Sequence, residues 1–393
     1  MNSFKKLIML LVLFTGLTVS TAKAADLGNG FNLGVTSYMD YSYATGDHFD
    51  PNSTQFTSVT NNSELNKGLA DGFHFTRVYL TLKKQVNDDL MVRVTTDQMT
   101  VRPDGSSEAT PFGLSGFAGS NRGNVFVKYA YGEYILNPSM TVRFGLTQTP
   151  WIDEAENRWT LRFLRPTFWD EQGAITSSDL GVSLLGSVAN KLVTYHLMVS
   201  NGEGYENSNV NGQGNAVQGR VDLNLGGFTL SAFGLTESAV GNGAARSNWN
   251  EDREIFYVQY TDPMFRISAE YMMADDETNP PLSQTPTITT LATSTGSPRF
   301  NQGRGMGAWA WTKIPGFESA RLFGRYYAMT PNSARDVGKM TEINAGITYE
   351  VNSNLSIALD DTMITQTLTD ATNSPALKDF SDSIIGLRAQ LSF

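Results

Sequence analysis

The sequence contains no cysteine in 393 residues. Disulfides, thiolate metal sites, iron–sulfur clusters and a cysteine nucleophile are thereby excluded. Histidine is scarce as well: His48, His74 and His196 stand far apart along the chain. Charged residues make up only 17% of it, and acidic side chains outnumber basic ones, 39 to 29. A chain this acidic is poorly suited to generic nucleic-acid binding, so no nucleic-acid partner is expected. Beyond residue 24 no apolar run reaches 18 residues, so no transmembrane helix is expected. Proline avoids the apolar segments and gathers between them. What is plentiful is glycine, at 36 residues, and aromatic side chains, at 11%. Together these features suggest an all-β chain with long polar loops.

Lys5 and Lys6 precede a short apolar run from Leu7 to Leu17, and Ala22-Lys23-Ala24 offers small residues where a signal peptidase reads. This is the pattern of a secretory signal peptide over residues 1–24, the run being too short to span a bilayer. Cleavage after Ala24 is expected, followed by a single domain over 25–393. Losing Lys5, Lys6 and Lys23 would take the net charge from −10 to −13.

The rest of the chain is a series of segments of about ten residues in which apolar and polar side chains alternate. Val78, Leu80 and Leu82 oppose Arg77, Tyr79 and Thr81. Val92 and Val94 oppose Arg93, Thr95 and Asp97. Met140, Val142, Phe144 and Leu146 oppose Thr141, Arg143 and Thr147. Val217, Val221, Leu223 and Leu225 oppose Gln218, Arg220, Asp222 and Asn224. Alternation alone fits two folds. In a soluble sandwich the apolar face is the core; in a membrane barrel it meets lipid, and the charged face lines a wet interior. Connector length separates them. Turns such as QVNDD, NPS, SVANK, GG, DP, IPGFES and NSN alternate with long stretches at 44–72, 100–121, 152–178 and 274–302. Short periplasmic turns alternating with long extracellular loops are the pattern of an antiparallel transmembrane β-barrel. Sixteen strands are expected, at 31–43, 73–84, 90–99, 123–136, 140–150, 179–187, 191–200, 217–225, 228–236, 253–261, 264–273, 304–313, 319–329, 341–350, 354–364 and 382–393. An even count puts both ends on the periplasmic side, and sixteen strands can enclose an aqueous channel.

A closed barrel has no free edge, so the last strand must pair with the first. That last strand reads SIIGLRAQLSF, with Ile385, Leu387, Ala389, Leu391 and Phe393 on alternate positions. It resembles the closing strand of bacterial outer-membrane proteins, in which a terminal phenylalanine is recognised by the assembly machinery. Phe393 is thus the candidate assembly signal.

Three stretches carry a more specific likeness: RVYLTLKKQVNDDLMVRVTTD, VKYAYGEYILNPSMTVRFGLTQTPWIDE and RFLRPTFWDEQGAITSSDLGVSLLG. Their order and spacing resemble the phosphate-selective porin O and P family. The likeness covers residues 73 to about 204, and YHLMVSNGEG adds the family's strand ending in Asn-Gly. It implies a homotrimeric outer-membrane porin whose third loop folds inward to narrow the channel. Phosphate selectivity does not carry over. In that family it rests on an arginine ladder and a lysine cluster, and here no lysine lies between Lys128 and Lys191.

The candidate constriction loop, around 152–178, is rich in charge. Arg158, Arg162 and Arg165 alternate with Trp159, Leu161, Phe163 and Leu164, flanked by Asp153, Glu154, Glu156, Asp170 and Glu171. Spaced i, i+4, i+7, the arginines would share one side of a short helix. Two readings stand: a constriction whose charges set up a transverse field, or a brace whose charges pair with one another and with the wall. Candidate inward arginines on the wall are Arg77, Arg93, Arg143, Arg220, Arg266, Arg321, Arg325 and Arg388. Opposite them stand Asp97, Glu133, Asp222, Glu270, Glu342 and Asp360. They suggest a weak anion preference, or mutual pairing with little selectivity. Tyr38, Tyr41, Tyr43, Phe126, Tyr129, Tyr134, Trp151, Trp309, Trp311, Tyr326, Tyr327 and Phe393 are expected in the aromatic girdles. The acidic runs ADDETN and DFSD read as solvated surface and fit no EF-hand. No cofactor or metal is expected. The expected function is passive diffusion of small hydrophilic solutes and ions through a channel in outer-membrane lipid. A sheath barrel around a periplasmic or secreted partner, a structural or adhesin barrel, and a Ser–His hydrolase using His196 are the alternatives.

Overall fold

The structure is a computed structural model. It describes residues 25–46, 72–99, 124–202, 204–205, 215–240, 249–278, 300, 302–331, 333, 339–367 and 380–393. The segment 1–24, read above as a signal peptide, lies outside them, as does most of three of the long stretches, at 47–71, 100–123 and 279–299.

The strands are β1 (Ala25–Gly28), β2 (Phe31–Gly46), β3 (Gly72–Gln85), β4 (Leu90–Met99), β5 (Asn124–Asn137), β6 (Met140–Gln148), β7 (Ser178–Val188), β8 (Val193–Ser200), β9 (Asn215–Leu225), β10 (Phe228–Val240), β11 (Trp249–Thr261), β12 (Phe265–Thr278), β13 (Gly303–Ile314), β14 (Phe317–Thr330), β15 (Lys339–Glu350), β16 (Leu355–Thr367) and β17 (Phe380–Ser392). Two helices, α1 (Ile152–Trp159) and α2 (Phe168–Glu171), lie between β6 and β7. From β2 to β17 each strand pairs antiparallel with its neighbour in sequence, and β17 pairs with β2 from Asp382↔Gly46 to Ser392↔Thr36. Phe393 completes the seam: its N–H donates to Val35 O at 2.9 Å, and Val35 N–H donates to Phe393 O at 2.7 Å. The fold is therefore a closed sixteen-stranded antiparallel barrel, with no edge left to aggregate or to meet lipid unpaired.

β1 is a seventeenth, four-residue strand that the alternation does not announce. It turns back on β2 through Asn29 and Gly30, both at positive φ, and pairs Ala25↔Leu33. A Cβ on Gly30 would fall 2.7 Å from the Gln85 carbonyl oxygen. β3 already occupies the other edge of β2 at Phe31–Leu33. β1 therefore runs on the edge that β17 uses further along.

The apolar rows point outward. Leu80, Val92, Phe144, Val182, Val199, Val217, Phe256, Ile267, Met306, Leu322 and Ile343 are all exposed on the outer surface. Neighbours meet side by side, as in Phe144↔Val182. On a soluble protein such a continuous apolar surface would be an aggregation hazard; around a barrel it is the lipid face. Several strands continue past this band at the long-connector end, where Glu251↔Asp276 and Asn250↔Glu277 still pair. The backbone ladder persists there after the apolar alternation has stopped, which is why β10–β12 outrun their expected ends.

The inner face is not uniformly polar. Phe233, Ile255, Met272, Trp309, Trp311, Phe323, Tyr327, Ile364 and Ile384 are buried inside. They form the core of the molecule together with residues of the 149–177 connection, which the barrel holds in its lumen. This corrects part of the girdle assignment. Trp309, Trp311 and Tyr327 face inward, and so do Tyr38, Tyr129 and Trp151. Tyr43, Tyr134, Tyr326 and Phe393 are exposed outward.

Candidate functional site

Sixteen strands about 4.8 Å apart, tilted about 40°, enclose a cylinder roughly 30 Å across between backbones. The connection between β6 and β7 crosses that space. Trp151, at its start, packs on Phe233 and Tyr257 of β10 and β11. Trp159 meets Trp309 at 5.1 Å and Phe323 at 6.0 Å, centroid to centroid, on β13 and β14. Phe168 stacks on Tyr327 at 4.5 Å and 3°. β14 stands eight places round a sixteen-strand ring from β6, on the opposite wall.

Eight large apolar side chains of this connection are buried: Trp151, Ile152, Trp159, Leu161, Phe163, Leu164, Phe168 and Trp169, none more than 5% exposed. At about 1.5–3 kcal/mol each, their burial favours docking by on the order of 10–20 kcal/mol before ordering entropy is subtracted. The wall is shaped to receive them. In GRGMGAWAW, Gly303, Gly305 and Gly307 occupy successive inward positions of β13. A Cβ on Gly305 would sit 2.1 Å from Trp169, and one on Gly307 would sit 2.1 Å from Tyr327.

The three loop arginines do not share one helix face. α1 ends at Trp159, because Thr160 takes a left-handed conformation (φ 63°) and donates its N–H to Glu156 O. Beyond that break Arg162 and Arg165 turn elsewhere. Arg158 reaches Asp222 at 2.8 Å and Ser231 at 2.8 Å on β9 and β10, and Glu154 at 3.0 Å. Arg162 pairs with Glu156 and approaches Asp170 at 3.8 Å. Arg165 pairs with Glu171 and lies 3.7 Å from Glu342 of β15. From the wall, Arg325 binds Glu342, Glu171 at 3.1 Å and the Pro166 carbonyl oxygen at 2.7 Å. Arg158, Arg162 and Arg165 are all at least nine-tenths buried. Their charges are compensated at contact distance, which is the geometry of a brace; buried pairs of this kind specify one docked position more than they add stability.

The wall residues divide by partner. Arg77 pairs with Asp97 at 2.6 Å and Arg143 with Glu133 at 2.6 Å. Arg220 pairs with Asp222 at 3.0 Å and Glu154 at 3.4 Å. Arg388 pairs with Asp360 at 2.6 Å and Asp40 at 3.2 Å. Arg93 lies over the Tyr129 ring at 4.6 Å and donates to Thr95 Oγ1 at 3.0 Å. Arg266 donates to the Arg158 carbonyl oxygen at 2.5 Å. Asp153, in the first turn of α1, is half-buried. Burial first, then Glu156, pushes its carboxyl above the ordinary range, against the opposing pull of Arg143 and Arg93. α1 therefore presents acid toward the basic wall of β4 and β6.

Beside the other flank of α1, at the short-turn end, lies a cavity of about 480 Å³. It is lined by Glu154, Arg158, His196, Arg220, Asp222 and Arg266, among others. His196 Nε2 has no hydrogen-bond partner among the described residues, so no serine is engaged there. In ADDETN, Asp276 binds Arg253 at 2.7 Å and the Phe300 N–H at 2.9 Å, a structural use of the acid.

The inward glycines of β13, and the inward direction of its two tryptophans, are what the strand pattern failed to flag. Their signal was present: AWAW alternates, but with the bulky partner on the inner face.

No family model matches the chain, and no curated protein matches it. Solved structures do. It resembles an anion-selective porin from Comamonas acidovorans at TM-score 0.60 and 10% identity, covering 92% of this chain and 99% of that one. It is similar to OmpF of Salmonella typhi, solved with daunomycin, at TM-score 0.59 and 14% identity, with 93% and 98% covered. It is also similar to the outer-membrane channel DcaP of Acinetobacter baumannii at TM-score 0.58 and 15% identity, with 95% and 100% covered. The fold is that of the outer-membrane porins.

Proposed function

We propose that this chain is an outer-membrane porin, passing small hydrophilic solutes and ions by diffusion through a lumen that the 149–177 connection narrows. The observation that carries the proposal is the arrangement inside the barrel. A docked segment spans the diameter, while charged side chains and a polar cavity remain beside it. A barrel built as a plug would fill that space with apolar packing; a sheath would leave it clear. The solved neighbours of the same fold include proteins described as an anion-selective porin and an outer-membrane channel.

In this reading Asp153, Glu154, Glu133, Arg93, Arg143, Arg220 and Arg266 line the remaining passages. Arg158, Arg162 and Arg165 hold the constriction in place. The more specific kinship, to phosphate-selective porins O and P, stays a proposal carried by the motifs at 73–204. A weak anion preference follows from Arg93 and Arg266, which have no carboxylate within salt-bridge distance among the described residues. Assembly as a homotrimer in outer-membrane lipid, after export and with Phe393 read by the assembly machinery, completes the proposal.

Planar-bilayer recording of the purified protein tests it. Stable ohmic steps in KCl are expected. Replacing residues 152–172 by a short Gly-Ser linker should raise the unit conductance severalfold. A protein that inserts but carries no current, with or without the loop, would refute the channel reading.

A further inference from the structure

Charge in the cavity beside α1 does not balance. Three guanidinium groups face it, Arg158, Arg220 and Arg266, against two carboxylates, Glu154 and Asp222. Both acids are already engaged. Asp222 accepts from Arg158 at 2.8 Å, Arg220 at 3.0 Å and Thr194 at 2.8 Å. Glu154 lies 3.0 Å from Arg158 and 3.4 Å from Arg220. These two arginines and two acids form a closed set.

Arg266 stands outside that set. No carboxylate lies within salt-bridge distance of it among the described residues; its one hydrogen bond runs to the Arg158 carbonyl oxygen, at 2.5 Å. Its Nε is buried with no hydrogen-bond partner. Its guanidinium lies 5.4 Å from the Trp311 ring, which Arg321, itself paired with Glu350, approaches from 4.9 Å. A half-buried cation without a counter-ion is costly unless something supplies the negative charge.

We infer that this cavity is a binding subsite for a small organic monoanion, a hydroxylated monocarboxylate, with Arg266 as its charged contact. The net charge of the lining is +1, which matches one carboxylate. Inorganic phosphate, with more negative charge and no carbon skeleton, would meet Glu154 and Asp222 as repulsive neighbours. The rest of the lining suits hydroxyl groups: Thr194, Asn224, Thr229 and Gln259 each make hydrogen bonds within the wall and keep a hydroxyl lone pair or an amide N–H for a solute. A cavity of about 480 Å³ is in the range that holds a molecule of six or seven carbon atoms. The subsite rests on the channel reading only for its place on a solute path; binding itself does not.

Gluconate, glucose and phosphate are the probes, each measured two ways. Calorimetry on the detergent-solubilised protein reads binding without any current. Bilayer recording reads how each probe interrupts the chloride current. Gluconate should bind saturably and interrupt the current, while glucose, with nearly the same skeleton, and phosphate should do so far more weakly. Arg266→Gln should raise the half-saturating gluconate concentration about tenfold or more, the scale of one charge-assisted hydrogen bond. Arg266→Lys should recover part of the loss. Arg321→Gln, which removes a neighbour paired with Glu350, should shift it less than Arg266→Gln. Equal binding of gluconate and glucose, or gluconate binding unmoved by Arg266→Gln, would overturn the subsite. Gluconate binding without conductance would keep the subsite and sink the channel; conductance without gluconate binding would do the reverse.

Discussion

Arg388 sits where the barrel closes. Its guanidinium, on the last strand, holds Asp360 on β16 at 2.6 Å and Asp40 on β2 at 3.2 Å, so one side chain ties three strands across the seam. The side chains of Arg388, Asp360 and Asp40 are 4%, 0% and 1% exposed. Replacing Arg388 by methionine keeps the volume and takes from two buried carboxylates the guanidinium they share. Breaking one side of a buried ion pair costs about 3–5 kcal/mol. Asp360 keeps two neutral donors, Asn344 Nδ2 at 2.7 Å and Thr362 Oγ1 at 3.3 Å. The lower end therefore applies: about 3 kcal/mol, or on the order of a hundredfold in the ratio of folded to unfolded protein. Urea unfolding of the reconstituted barrel, followed by tryptophan fluorescence and by the gel mobility of unheated samples, reads this directly. The triple variant Asp40→Asn, Arg388→Met, Asp360→Asn removes all three charges and should recover most of the loss. If the single variant unfolds at the wild-type urea concentration, the pair is screened by water at this height. It would then be worth the 0–1 kcal/mol of a surface bridge, and the packed seam described here would be wrong.

Three further outcomes are expected. Gly305→Val should drive Trp169 out of its groove, since even a bare Cβ there would lie 2.1 Å from the indole. Overpacking on this scale costs about 1–3 kcal/mol, and a red shift of the tryptophan emission with the barrel still folded is the expected readout; unchanged emission would mean the groove is wider than described. Deleting Phe393 removes two backbone hydrogen bonds to Val35 and an outward aromatic side chain. The yield of folded, membrane-inserted protein should fall, and normal insertion would dismiss an assembly role. Because the Asp153 carboxyl lies above the ordinary range through burial and Glu156, it takes up its proton at a higher pH than an exposed aspartate. The reversal potential in a KCl gradient should therefore move toward anion preference as pH falls through that region. Asp153→Asn should show the shifted value already at neutral pH and lose that part of the pH dependence.

The strands were legible because a bilayer imposes a strict rule on them. Every second side chain must be apolar over the height of the hydrocarbon, and no backbone group there can go unpaired. Val78, Leu80 and Leu82 against Arg77 and Thr81, repeated with short turns between, leave little room for another fold. β1 escaped notice because four residues at the rim face no lipid and need no alternation. The connector rhythm also gave 152–178 as a separate long stretch, but not its destination.

By itself, then, the sequence determined the outward face, the strand count and the closure, since these follow from local periodicity under one uniform solvent constraint. Only the tertiary structure decided what the inner face does. Trp309 turns inward to meet Trp159, which arrives from the opposite wall, and Gly305 on β13 clears space for the Trp169 ring, 136 residues away in sequence. Arg158, Arg162 and Arg165 looked alike in the chain. They part because α1 stops at Thr160 and each guanidinium meets a different carboxylate. Such pairings depend on which strands face one another across the lumen, and no local pattern in the chain carries that information.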